Sequence, residues 1–274
     1  MKALRKIAVD AAGIARVCGL RLAVKWLFLV LVNIRTILRT KNLQVADRAM
    51  GNGPFSVCRA QARAMLTGIQ VFSGLREIWV RDVYLRNDFL SFPRDALVVD
   101  LGANLGVFSA LALAQSDSVR VIAVEASLNL LASLEGSARA NGWSDRITPI
   151  RAFIGKFTRT QEAALKQGSD YADAPVLTEW DLIARNRLSK IDFLKCDIEG
   201  SEFFLLDPES RLLAMTDRLA IELHEWGGDI QRFLQHLKQH GFEIGHIEWA
   251  SDSCIALCRR IAPAPPVRSA LAVA

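Results

Sequence analysis

Three observations predict a doubly wound α/β fold whose sheet is mostly parallel, seven-stranded and closed by an antiparallel strand. After residue 95, short apolar runs alternate with segments of helical spacing. The connections between them are short, as the right-handed crossovers of a parallel sheet require. The first run, "ALVVDLG", is continuously apolar and rich in valine, as a strand covered on both faces must be.

The chain divides into four parts. Residues 1–50 form an arm with ten Lys and Arg against Asp10 and Asp47, a net of +8, so the rest carries −3 of the chain's +5. A nucleic-acid-binding core shows the opposite distribution, and no nucleic-acid partner is expected. The opening "MKALRKIAVDAAG" imitates the basic part of a secretory signal, but Asp10 and Arg16 interrupt the apolar stretch and no small-residue cleavage site closes it. The most apolar stretch, "WLFLVLVNI" (26–34), has nine residues. A bilayer needs about 20. On a helix, positions 21, 25, 28, 32, 35 and 39 share a face that is basic at both ends and apolar at Phe28 and Val32. Two readings stay open: residues 21–39 lie on an anionic membrane surface, or the helix docks on the body and leaves its charges in water.

Residues 51–94 lead into the main domain, 95–260, and the proline-rich residues 261–274 read as a disordered tail. The cysteines, Cys18, Cys58, Cys196, Cys254 and Cys258, are odd in number and contain no CxxC pair. A disulfide framework or structural zinc is therefore not expected, and packing cysteines in a reducing, cytoplasmic compartment are.

In the main domain, strands are predicted at 96–102, 119–126 and 146–155, with helices at 105–115 and 127–142 between them. Residues 156–177 read as a loop over one edge. A capping box, Thr178 with Asp181, opens the next helix. A fourth strand (190–197) leads to a helix over 202–215, and a fifth (218–224) to a helix over 229–241. "FEIGHIEW" and "DSCIALCRR" form the closing pair.

Ligands of such sheets sit beyond the carboxyl ends of the strands, where the strand order reverses. At the end of the first strand, in "VVDLGANLG", Gly102 permits a tight turn, Asn104 tolerates positive φ, and Gly106 lets the following helix pack closely. The spacing does not match the dinucleotide pattern G-x-G-x-x-G. It suits a nucleoside without phosphates, with Asp100 available for a cation. Glu125 ends the second strand, where doubly wound folds place the carboxylate that binds ribose hydroxyls.

Together, "VVDLGANLG", "VEAS", "KIDFLKCDIEGSE" and "IELH" resemble the FkbM family of S-adenosylmethionine-dependent methyltransferases, over roughly residues 95–245. The resemblance implies a Rossmann-like class I methyltransferase fold, S-adenosyl-L-methionine as cofactor, and O-methylation of a hydroxyl on a sugar, glycan or secondary metabolite. It implies a cofactor-binding set of Asp100, Gly102, Ala103, Asn104, Gly106, Glu125, Ala126 and Phe153. Ala126 departs from a frequent proline, Cys196 from an aliphatic residue and Asp207 from a glycine, which bears on substrate fit more than on the reaction.

The carboxylates after the fourth strand raise a separate question. Glu199 and Glu202 fall in the first turn of the expected helix, where they complement its dipole; Glu202 is read that way. Asp197, at the strand end nearest the switch point, is read as catalytic. His224 ends the fifth strand, and its neutral imidazole suits a base near pH 7. Which of the two is the base stays open, with Glu199 and Glu222 on the substrate side. Asp197, Glu199, Glu222 and His224 offer ligand atoms near one place, but Glu199 and Glu222 need not face Asp197, and no metal is expected. The competing functions are a nicotinamide-dependent oxidoreductase and a catalytically silent nucleoside-binding module.

Overall fold

The computed structural model describes residues 2–86, 89–155, 170–207 and 210–262. The arm folds into α1 (Lys2–Cys18), α2 (Leu20–Val32), α3 (Ile34–Thr40) and α4 (Gln44–Ala49). Ala23, Trp26 and Val30 recur at helical spacing and form the buried face of α2. They join Ile14 and Val17 of α1 in one apolar cluster with Val98, Val121 and Phe193 of the main sheet. The arm is therefore part of the core. Among the described residues, no helix is long and apolar enough to cross a membrane.

Buried charge locks the arm in place. The Arg76 guanidinium donates to both carboxylate oxygens of Asp47 (Nε 2.9 and 3.1 Å, Nη2 2.6 Å) and to Asp10 (2.9 Å). Arg81 also donates to Asp10, and Trp26 Nε1 donates to Asp47 at 2.8 Å. Removing one partner of such a group strands a charge away from water. Arg76→Ala should cost about 3–5 kcal/mol in urea unfolding. Arg139→Ala, which breaks an exposed pair with Glu135, should cost no more than about 0.5 kcal/mol. Equal losses would show that the buried network does not anchor the arm.

An antiparallel hairpin, β1 (Phe55–Arg59) and β2 (Ala62–Leu66), comes next, then α5 (Val71–Leu75) and a π-helical turn, Arg76–Val80. The main sheet comprises β3 (Leu97–Leu101), β4 (Arg120–Glu125), β5 (Ile147–Arg151), β8 (Phe193–Cys196), β9 (Arg218–His224), β10 (Phe242–Trp249) and β11 (Ser253–Arg260). A separate parallel pair comprises β6 (Phe153–Ile154) and β7 (Val176–Leu177). The main sheet has the order β10-β11-β9-β8-β3-β4-β5. β3, β4, β5, β8 and β9 run parallel, and β11 is antiparallel to β9. This is the doubly wound, mostly parallel seven-stranded sheet expected of class I methyltransferases. The order reverses at β3, which lies between β4 and β8. Helices α6 (Val107–Leu113) and α7 (Leu128–Ala140) follow β3 and β4, α8 (Glu179–Asn186) precedes β8, and α9 (Leu212–Met215) and α10 (Ile230–Gln239) flank β9.

Local signals held. Ser127 caps α7, and the Thr178–Asp181 capping box opens α8. Three expectations need correction. The third strand, read as 146–155, divides: the chain leaves the sheet at Ala152, whose N–H bonds Glu125 O, and β6 pairs with β7 instead. The helix read over 202–215 is a 3-10 turn, Ser201–Leu206, and the separate α9. Asp207 between them is extended (ψ 126), as a residue preceding a proline prefers. The arm's basic-apolar helix is interrupted at Asn33. Most of the 156–177 loop and of the 261–274 tail lies outside the described residues.

Candidate active site

The site begins where β3 ends. Gly102 has φ +72, and a Cβ placed there would lie 1.8 Å from the carbonyl oxygen of Asp197. Only glycine lets the ends of β3 and β8 approach so closely. Asn104 has φ +51, the left-handed conformation expected of it, and its Oδ1 accepts from Leu105 N at 2.8 Å. Glu125 clamps the turn from β4: Oε2 accepts from Asn104 N and Oε1 from Ser127 N, both at 2.8 Å. Burial raises the Glu125 pKa, and those two backbone donors act against the rise.

A cavity of about 310 Å³ opens over the turn. Of the expected cofactor residues, Gly102, Asn104, Glu125, Ala126 and Phe153 line it; Asp100, Ala103 and Gly106 do not. Asp100 is fully buried beneath the turn, where Ser109 Oγ donates to it at 2.7 Å and Lys195 Nζ lies 3.3 Å away. It therefore braces the loop from below, through Ser109 and Lys195. Sequence reading missed Leu130 and Tyr171, which also line the cavity. Leu130 sits one turn into α7, where the Ser127 cap could have pointed to it. Tyr171, whose ring is 6.0 Å from that of Phe153, lies in a segment without a motif.

Lys195 ties the cavity to the carboxylates. Its ammonium is buried, donates to Gly102 O at 2.6 Å, and lies 3.3 Å from Asp100 and 3.9 Å from Asp197. Burial disfavours its charge, but the two aspartates outweigh that and raise its pKa. Asp197 also accepts a 3.0 Å hydrogen bond from the buried Tyr84 hydroxyl. Neither Lys195 nor Tyr84 stands out in the sequence, although Lys195 belongs to the "KCDIEGSE" stretch.

Of the two carboxylates after β8, Glu202 falls at the start of the 3-10 turn Ser201–Leu206 and Glu199 precedes it. Glu199 is in the left-handed region (φ +55), lines the cavity and is mostly exposed. Glu202 is completely buried. Its Oε1 accepts from Ile198 N and Gly200 N and lies 3.0 Å from His224 Nδ1. A long-range contact between β9 and the loop after β8 is thus added to the helix-start role. It also changes His224: burial opposes its charge, but the hydrogen bond and charge of Glu202, with Asp197 and Glu199, push its pKa up to about 9. The imidazole expected to be neutral near pH 7 is instead held protonated there. His224 Nε2 faces Glu199 (3.8 Å) and Glu222 (3.9 Å). Burial, then the charge of Asp197, raises Glu222 to about 7.

Glu222 also faces a second cavity, of about 690 Å³, walled by Arg5, Lys6 and Val9 of α1, Glu77 of the π-helical turn and Arg81 just after it, and Ser253 of β11. Asp197 and Glu199 line the first cavity and Glu222 the second, with His224 between the two groups. The donors that can share a cation among the described residues are Asp197, Glu202 and His224, within 4.8 Å of one another. Glu202 takes the place there that sequence reading gave to Glu199 and Glu222.

Comparison with known proteins adds the family. A model of the methyltransferase FkbM domain matches residues 100–244, more than half of the chain. The AMB antimetabolite synthetase AmbE of Pseudomonas aeruginosa is 24% identical over 224 residues, which cover 62% of this chain and 10% of that protein. The chain thus spans about a tenth of the length of that curated relative. Among solved structures, methyltransferase FkbM from Methylobacillus flagellatus KT is 19% identical with a TM-score of 0.46, covering 69% of this chain and 54% of the other. TrmK of M. capricolum, solved with S-adenosyl-homocysteine, is 9% identical with a TM-score of 0.41, covering 63% and 65%. The matched span contains both the glycine turn after β3 and the carboxylates after β8, and the chain belongs to the FkbM methyltransferase domain family.

Proposed function

We propose that this protein is an S-adenosyl-L-methionine-dependent O-methyltransferase acting on a hydroxyl of a sugar, glycan or secondary metabolite. The observation that carries the reading is the placement of Asp197 on the smaller cavity and Glu222 on the larger, with His224 within 3.9 Å of Glu222. The smaller cavity fits a nucleoside: Glu125 stands where ribose hydroxyls would bind, and the Phe153 and Tyr171 rings offer faces to a base. The turn's spacing argues against a dinucleotide.

When bound, the cofactor supplies an electrophilic methyl group. The chain's own residues hold the acceptor hydroxyl in line and take the proton it loses. Asp197, fixed by Tyr84 and Lys195, orients that hydroxyl. The proton passes to Glu222, whose pKa, raised to about 7, suits a base working there, while His224, 3.9 Å away, is protonated at that pH.

Titration calorimetry should show saturable binding of S-adenosylmethionine and none of NAD, and labelled methyl groups should appear on a hydroxylated acceptor. Preference for NAD would favour the oxidoreductase reading. Cofactor binding without transfer to any hydroxylated acceptor would favour the silent binding module.

A further inference from the structure

The outer face of the arm is used by none of the chemistry above. Helices α2 and α3 are held down on one side by buried Ala23, Trp26, Val30 and Ile37. On the other side six large apolar side chains stand in solvent: Leu20 (71% exposed), Val24 (57%), Phe28 (62%), Leu31 (67%), Val32 (63%) and Leu38 (68%). Within α2, at 100° per residue, Leu20, Val24, Phe28, Leu31 and Val32 fall in one sector about 120° wide. Such a group, on helices already packed by their opposite face, is more than the scattered apolar exposure of an ordinary surface.

Charge selects what covers it. Arg21, Arg35, Arg39 and Lys41 are exposed beside these side chains. No acidic residue occurs between Asp10 and Asp47, and both of those are buried in the Arg76 network. The outer face therefore presents cations and apolar groups without a counter-charge. Two copies of the chain meeting through this face would bring like charges together. A bilayer with anionic headgroups supplies what the face lacks: negative charge at the level of the cations and an apolar layer just beneath.

We propose that α2 and α3 dock the protein on an anionic lipid surface, lying in the interface without spanning it. Docking uses side chains that already protrude, so the helices need no refolding to bind. Because the arm's inner face belongs to the core, deleting it would unfold the protein, and the test has to use substitutions on the outer face.

The full-length chain is mixed with phosphatidylcholine vesicles, with and without phosphatidylglycerol, and bound protein is measured by sedimentation. Binding should require phosphatidylglycerol and weaken as salt rises. Phe28→Ser with Leu31→Ser should weaken it about a hundredfold, since two large apolar side chains lose their burial in the bilayer. Arg21→Gln, Arg35→Gln and Arg39→Gln should each weaken it about fivefold. The thermal midpoint and S-adenosylmethionine affinity should stay at wild-type values in all of them, because these side chains are exposed and outside the site. Undiminished vesicle binding by the double-serine variant overturns the proposal. So does equal binding to vesicles lacking phosphatidylglycerol, or a concentration-dependent dimer that the serine variant abolishes while vesicles bind neither form.

Discussion

Asp197→Ala should lower turnover by about 10²–10⁴-fold while leaving cofactor affinity within a few-fold, because a positioned acid or base contributes in that range. His224→Ala should fall in the same range. Asp197→Asn keeps the shape and can still accept from the Tyr84 hydroxyl, so a mild loss there means orientation and a severe loss means that Asp197 takes the proton. The pH profile separates the partners further. A base works only when deprotonated, so activity is lost as pH falls below its pKa. Transfer to Glu222 gives a rise through about pH 7, and transfer to His224 a rise through about pH 9. The charge of Asp197 raises both groups, so Asp197→Asn should move the acid limb to lower pH. No ion takes part in this scheme, and a chelator should leave turnover unchanged. Wild-type turnover in both alanine variants would mean that proximity alone drives the reaction.

Gly102→Ala should abolish measurable cofactor binding, a loss of about a hundredfold or more. The left-handed backbone alone costs a side chain about 1–2 kcal/mol. The larger effect is steric: the new Cβ would sit 1.8 Å from the Asp197 carbonyl oxygen, and backbone, unlike a flexible side chain, cannot swing aside. The ends of β3 and β8 would have to part, breaking the bond from Asp197 N to Leu101 O. A lower thermal midpoint should accompany the loss. Asn104→Ala keeps the test informative if the glycine variant fails to fold: φ +51 costs alanine more than asparagine, yet no strand end has to move. Gly136→Ala is the control. Nothing lies within 4 Å of the Cβ it would add in α7, so it should gain about 0.5–1 kcal/mol and bind cofactor normally. Wild-type affinity in folded Gly102→Ala or Asn104→Ala would mean that the turn is not the nucleoside cradle.

Features written into adjacent residues are legible in the sequence alone. The valine-rich run of β3, the alternation of strands and helices, the Thr178–Asp181 cap and the left-handed Asn104 each arise from steric or hydrogen-bonding preferences acting over a few positions. These preferences, with the family resemblance, are enough to bring the glycine turn, Glu125 and Asp197 to one cavity.

Only the tertiary structure decided the roles of Glu202, Lys195, Glu222 and the arm. Glu202 looks like a helix-start carboxylate until β9 brings His224 within 3.0 Å, and that contact takes the imidazole away from its ordinary pKa. Lys195 lies in the stretch that carries the resemblance, but its role needs β3 and β8 to place two aspartates around its buried ammonium. Phe28 and Trp26 are both large aromatics of one apolar stretch, yet one is 62% exposed and the other fully buried. Periodicity says that a helix has two faces, but which face meets the core depends on partners far along the chain, here Asp47 and Arg76. Charge and burial are set by what surrounds a group in three dimensions, and those neighbours are chosen by the packing of the sheet.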